Sequence, residues 1–265
     1  MLICPKCKSK LNKIDNTYKC INNHSYDISK YGYVNLLLSK TNAGDDKVMV
    51  DARYNFLAND YYLPLAKSII KLLSNYIQKD SLILDGGCGT GYYDCVIKND
   101  YPNIIGYDIS KDAITKAAKL NKDLLYFVAS SNDIPLSDNS IDCILNIFTP
   151  TFETEVTRLL KDNGILIIVA PKDNHLIELK KAIYENAYLN EEVVPQFNNL
   201  YLDKCYHSIF NSNLNKDDLD NLIKMTPYFY KTSKDNLGKI KNIDSLNVTF
   251  AFNIYIYKKE QTIKR

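Results

Sequence analysis

Residues 82–97 read "LILDGGCGTGYYDCVI". Leu82, Ile83 and Leu84 suit a buried strand that ends at Asp85, glycines follow at 86, 87, 89 and 91, and a helical pattern begins at Tyr92. Glycine tolerates positive φ and lets backbone approach a ligand closely, while the first turn of a helix offers N–H groups without intrahelical partners. Strand, glycine turn and helix in this order open a βαβ unit and predict a parallel sheet.

The flanking sequence repeats the alternation. "IIGYD" (104–108), "LLYFVA" (124–129), "IDCILNIF" (141–148) and "ILIIVAP" (165–171) are short apolar runs suited to strands buried on both faces. Between them lie helical segments such as "SKDAITKAAKLN" (110–121), with Ser110 as N-cap and Asp112 in the first turn. Upstream, "LPLAKSIIKLLSNYI" (63–77) sets Leu65, Ile69, Leu72, Leu73 and Tyr76 on one helical face, with Pro64 near its start. Near the end, "NVTFAFNIYIYKK" (247–259) alternates like an antiparallel strand and is expected to finish the sheet at an edge.

In an open α/β sheet the ligand lies outside the carboxyl ends of the strands. The glycine loop and Asp108 therefore converge, and the other strand ends add Ile109, Ser130, Ser131 and Asn146 to the candidate cofactor contacts. The spacing is not that of a dinucleotide fingerprint, because Tyr92 stands where its last glycine would be. A carboxylate at Asp85 would repel a pyrophosphate but attract an ammonium group, which S-adenosylmethionine carries. Asp108, at the tip of the second strand, is placed to accept the ribose hydroxyls of an adenosine; alternatively it serves only as a negative charge at the following helix N-terminus.

A different device stands at the front. In "CPKCKSKLNKIDNTYKCINNH", two residues separate Cys4 from Cys7, twelve separate Cys7 from Cys20, and three separate Cys20 from His24. Two such pairs supply the four ligands of a closed tetrahedral zinc site, and no fifth candidate leaves an open position, so the metal is structural. Lys6, Lys8 and Lys19 are expected to favour the thiolate forms. "SKTNAGDDK" (39–47) reads as a linker, which divides the chain into a zinc-binding domain over 1–38 and a larger domain over 48–265.

The 265 residues are 46% hydrophobic, enough for a sizeable core, and carry a net charge of +2. Residues 1–48 hold eight Lys against four Asp, so the basic excess belongs to the front. Seven cysteines, no apolar run of the roughly 18 residues that a membrane span needs, and no apolar signal at the N-terminus predict a reduced, cytoplasmic protein away from membranes.

The loop "DGGCGTGYY" followed by "GYDIS" resembles motifs I and II of class I S-adenosylmethionine methyltransferases. "CPKC…C…H", "YGYVNLL", "YYLPL", "YDISKDAI", "VASS", "HLIELK", "MTPY" and "FNI" together resemble the RlmA family of large-subunit rRNA guanine-N1 methyltransferases, from Cys4 to about Tyr255. That resemblance implies a Rossmann-like catalytic domain preceded by a small zinc-binding domain that helps to recognise RNA. It also implies methylation of one guanine in a 23S rRNA hairpin lining the peptide exit tunnel, and leaves room for a homodimer. Carried over, Cys4, Cys7, Cys20 and His24 match zinc ligands, and Tyr62, Gly89, Thr90 and His175 match cofactor contacts, beside Gly87 and Gly91 of the same loop. "FTP" (148–150) replaces a Tyr-Ala-Pro-like turn and touches the substrate pocket. Asn146, Thr149 and Phe148 are candidates to hold the base, Phe148 being equally suited to the core; no residue is singled out as the general base. The alternatives are a small-molecule methyltransferase, which has little use for a lysine-rich finger, and a non-catalytic RNA-binding protein, which has little use for an intact glycine loop.

Overall fold

The computed structural model describes residues 1–39 and 44–259. In chain order the strands β1 (Asn12–Ile14), β2 (Thr17–Lys19), β3 (Ser25–Asp27) and β4 (Val34–Asn35) precede the helices α1 (Lys47–Leu57) and α2 (Leu63–Leu73). Then come β5 (Ile83–Gly86), α3 (Tyr92–Ile97), β6 (Ile104–Asp108), α4 (Lys111–Leu120), β7 (Leu125–Val128), β8 (Ile141–Ile147), α5 (Glu153–Leu159) and β9 (Leu160–Pro171). The last third holds α6 (Ile177–Ile183), β10 (Leu200–Asn215), α7 (Lys216–Lys224), α8 (Tyr228–Lys231), α9 (Lys234–Ile240) and β11 (Ser245–Lys259).

The first three strands form a small antiparallel sheet, and the rest form one sheet in the order β10-β11-β9-β8-β5-β6-β7-β4. The sheet is parallel from β9 to β4, and β11 and β10 add antiparallel pairs at the other end. Register sets Gly86 beside both Tyr107 and Asn146, so the carboxyl ends of β5, β6 and β8 line up around the glycine turn. The chain leaves β7 and returns on the far side of β5 as β8, which makes this the switch point where a ligand is expected.

The expected strand at 247–259 is real but does not lie at the edge. β11 is covered on its outer side by β10 along almost its full length, from Leu200↔Lys259 to Asn215↔Ser245. The edge strand "LYLDKCYHSIFNSNLN" has only one buried face and intersperses Lys, Asp, His and Asn, so its apolar signal is weak. β11 by contrast is buried continuously from Phe250 to Tyr257, as an inner strand should be.

The zinc-ligand segment is docked onto the larger sheet. β4 pairs in parallel with β7, with Val34 opposite Phe127, and Leu2 bridges to Leu136 while Ile3 N donates to the Pro135 carbonyl at 3.0 Å. Leu2, Leu11, Val34 and Leu36 join the apolar cluster of Phe127, Ile134 and Leu136 beneath one face of the sheet. Residues 40–43 of the expected linker lie outside the described residues, and its end is already the start of α1, where Asp46 Oδ1 accepts from Met49 N at 2.9 Å.

Candidate cofactor crevice and metal centre

Three glycines of the loop adopt φ between +55° and +76°. A side chain at Gly87 would meet Thr149 Oγ1 at 2.5 Å and one at Gly91 would meet Ala117 Cβ at 2.8 Å, so both are packed from behind. Gly89 differs: the nearest atom to a Cβ there would be Arg53 Cδ at 3.9 Å, so its face is open for close approach of a ligand. Asn121 Nδ2 pins the turn by donating to the Gly91 carbonyl at 3.1 Å. The same amide reaches the Tyr126 hydroxyl, which donates to Asp94 Oδ2 at 2.9 Å.

Asp85 is buried at the end of β5, and its Oδ2 has no hydrogen-bond partner. Burial, and then the neighbouring Asp94 carboxylate, push its pKa well above the usual carboxylate range, while burial lifts Asp94 to about 6. Asp108, half-buried at the tip of β6, accepts from Gly89 N at 3.0 Å through Oδ2 and from Ser110 N at 2.7 Å through Oδ1. Each oxygen keeps a further lone pair for a donor. Burial raises this carboxyl, against the lowering effect of these N–H groups and of Arg53.

Arg53 is the residue that motif reading missed. It reaches the glycine loop from α1, pairs with Asp45, and donates through Nη2 to the Met225 carbonyl at 3.2 Å. A half-buried guanidinium beside an anion-friendly loop suits a carboxylate. The sequence signal was the apolar pattern around "ARYNFL" (52–57), which places an arginine on the inward side of a helix.

The opposite wall is aromatic. Tyr62 packs edge-on against Phe250 and Phe252, with ring centroids 5.2 and 5.4 Å away, and His175 lies 4.6 Å from Phe252. His175 Nδ1 accepts from Ala251 N at 3.2 Å, which puts the neutral ring's proton on Nε2; burial, and then Lys180, lower its pKa to about 3. Phe148, the residue after β8, is 44% exposed, packs on Phe252 at 5.3 Å and has φ +60°. For a bulky residue that conformation is costly, and strain of this kind is retained where the side chain's direction matters.

The structure thus gathers Asp85, Gly87, Gly89, Thr90, Gly91, Asp108 and Ile109 on one side of the crevice. Asn146 stands behind Gly86 and donates to Thr151 Oγ1 at 2.7 Å. Ser130 and Ser131 lie on the loop after β7, where Ser130 bridges to Asp133.

In the ribbon, Cys4 Sγ is 3.4 Å and Cys20 Sγ 3.5 Å from His24 Nδ1, Cys7 Sγ is 3.7 Å from Cys20 Sγ, and all four ligand atoms lie within 4.8 Å of one another. Ligands at about 2.0–2.3 Å from zinc are separated by roughly 3.3–3.8 Å along a tetrahedron's edges, so the donor set fits the ion. Cys7 is lowered to about 5, first by the Ser9 hydroxyl and then by the Ser9 N–H. The lysines expected to do this act elsewhere in part: Lys8 pairs with Asp133 at 2.5 Å.

Residues 2–40 match the RlmA N-terminal zinc ribbon family, and residues 77–234 match a methyltransferase domain family. The chain belongs to the RlmA family of zinc-ribbon methyltransferases. Among its RlmA-type relatives is a Bacillus subtilis (strain 168) protein named, provisionally, as a 23S rRNA (guanine-N(1)-)-methyltransferase, 31% identical over 98% of this chain and 97% of that protein. The 23S rRNA (guanine(748)-N(1))-methyltransferase of Streptomyces fradiae is 29% identical over 96% of this chain and 95% of its own length. The cofactor of an RlmA-family methyltransferase domain is S-adenosylmethionine, and the residues present fit it: an orphaned Asp85 oxygen, an open Gly89 face, Asp108 and Arg53 stand at one switch point.

Proposed function

We propose that the chain methylates N1 of one guanine in a 23S rRNA hairpin near the peptide exit tunnel, acting on ribosomal RNA in the cytoplasm. One observation carries this reading: proteins named for guanine-N1 methylation of 23S rRNA match the chain from the zinc ribbon to the last strand, and not the methyltransferase domain alone.

S-adenosylmethionine supplies an already activated methyl group, so the protein's task is alignment and exclusion of water. Asp108 would hold the ribose hydroxyls and Arg53 the carboxylate, and Asp85, whose burial disfavours its charge, would ionise against the bound ammonium, fixing the donor at both ends. Tyr62 and His175 would close the aromatic side, a neutral His175 leaving the site's charge to the carboxylates and Arg53. Guanine N1 bears a proton at neutral pH, so the target base must be turned out of its stack and deprotonated as it reacts. Phe148 would stack on such a base, its ring packed on Phe252 and still 44% exposed.

Incubating the purified chain with methyl-labelled S-adenosylmethionine and 23S rRNA, followed by nucleoside analysis, tests the reading. Label in 1-methylguanosine is expected. Label in another nucleoside, or in none, would overturn the assignment.

A further inference from the structure

Away from the crevice, a concavity of about 640 Å³ lies where the ribbon's last turn meets the carboxyl end of α4, lined by Lys30, Tyr31, Gly32, Ala118, Lys119 and Lys122. The turn that presents Lys30 and Tyr31 is fixed. Gly32 N donates to the Ser29 carbonyl at 2.9 Å, Tyr31 N donates to Ser29 Oγ at 3.2 Å, and Gly32 takes φ +94°. The next residue, Tyr33, is buried against α4, where Thr115 Oγ1 donates to its hydroxyl at 3.3 Å.

Two cations from separate parts of the chain therefore meet over one ring. Lys30 Nζ lies 5.1 Å and Lys119 Nζ 4.5 Å from the centroid of Tyr31. The ring's π-system attracts both ammonium groups but does not neutralise them. Neighbouring lysines are neutralised: Lys98 pairs with Asp123 and Lys116 with Asp51. Among the described residues Lys30, Lys119 and Lys122 make no ion pair, and the groove has no carboxylate in its lining. Three unpaired ammonium groups in one concavity leave a positive potential that a polyanion, with phosphates at regular spacing, neutralises best.

We propose that Lys30, Lys119 and Lys122 form a docking groove for the sugar–phosphate backbone of the RNA substrate. The proposal rests on the rRNA reading above and adds a second point of contact to it. α4 begins beside Asp108, and Lys119 is nine residues beyond Ser110, about 13 Å along a helix axis. One hairpin can span both. Because half of the groove is ribbon and half is α4 with the turn after it, the groove also gives the ribbon a role that depends on its docking to the sheet.

The test is binding of a transcribed 23S rRNA hairpin to the full chain by fluorescence anisotropy across potassium chloride concentrations. The triple variant Lys30→Gln, Lys119→Gln, Lys122→Gln is compared with wild type and with a control triple, Lys67→Gln, Lys71→Gln, Lys79→Gln, at exposed positions outside the groove. Three phosphate contacts at about 0.7–0.9 each in log–log slope mean that wild type loses roughly 20- to 40-fold more affinity than the groove variant over a fourfold rise in salt. The control should keep the wild-type slope, and S-adenosylhomocysteine affinity should be unchanged in both. A steep wild-type slope matched by the groove variant, or a control as shallow as the groove variant, overturns the groove alone. A wild-type chain that binds the hairpin without salt dependence overturns the groove and the rRNA reading together.

Discussion

None of the nine residues in β1, β2 and β3 is buried, whereas all four of β5 and six of the seven in β8 are. The ribbon and the crevice are thus ordered by different forces. Burial of apolar side chains holds the sheet beneath the crevice. The ribbon's strands have no such core of their own, and the four ligand atoms around one point supply what burial cannot. Where the two regions meet, through Val34 on β7 and Leu2 on Leu136, the ribbon borrows the larger core.

The sharpest way to break this comparison is to remove the metal. In small zinc domains metal binding accounts for an apparent free energy on the order of 10–16 kcal/mol, which is also folding free energy. Cys20→Ser should lose the zinc and the hydrogen-exchange protection of residues 4–28, while β5 and β8 amides stay protected. Equal loss of protection in β5 would mean that the two regions are not separately ordered. Wild-type protein should carry one zinc per chain by elemental analysis.

Smaller effects belong to the crevice. Asp108→Ala removes a charged acceptor, and such hydrogen bonds contribute about 1.5–3 kcal/mol, so calorimetry should find S-adenosylhomocysteine bound roughly ten- to a hundredfold more weakly. Arg53→Gln should weaken S-adenosylhomocysteine but leave 5′-methylthioadenosine, which lacks the carboxylate, unchanged; equal weakening of both ligands would assign Arg53 to packing instead. Phe148→Ala should lower turnover on RNA without changing cofactor affinity.

The smallest expected effect is one of pH. His175 has a folded pKa of about 3 against 6.5 in its ordinary state, so the unfolded chain binds the extra proton between these values. Its contribution to stability is therefore complete above about pH 6.5 and declines as pH falls, by at most about 1.4 kcal/mol per unit. Asp94, raised to about 6, acts in the opposite sense, its contribution being lost as pH rises from about 3.8 to 6. The difference between wild type and His175→Gln in urea midpoints at pH 7 and pH 5 isolates the histidine, with a flatter dependence expected in the variant.

The ribbon was legible because its four ligands lie within 21 residues and their spacing is itself the geometry. The glycine loop and Asp108 were legible for a related reason: one βα turn and the next strand tip are neighbours by topology. Arg53 was not, since it stands 36 residues before Gly89 and reaches the loop only because α1 packs across the crevice. β10 was hidden by its half-exposed pattern, and with it the inner position of β11. Residue type alone suits Phe148 equally to a base platform and to the core, because exposure and a left-handed backbone cannot be read from it.

Joint use of both regions on one RNA is tested most directly by primer extension on 23S rRNA after incubation with the chain and S-adenosylmethionine, since methylation at N1 blocks Watson–Crick pairing and halts the polymerase. The account predicts a strong stop at a single guanine that requires the cofactor, is lost in Asp108→Ala, and weakens in Cys20→Ser. Extension that runs through every guanine with wild-type, zinc-loaded protein, or a stop that persists in Asp108→Ala, would contradict it.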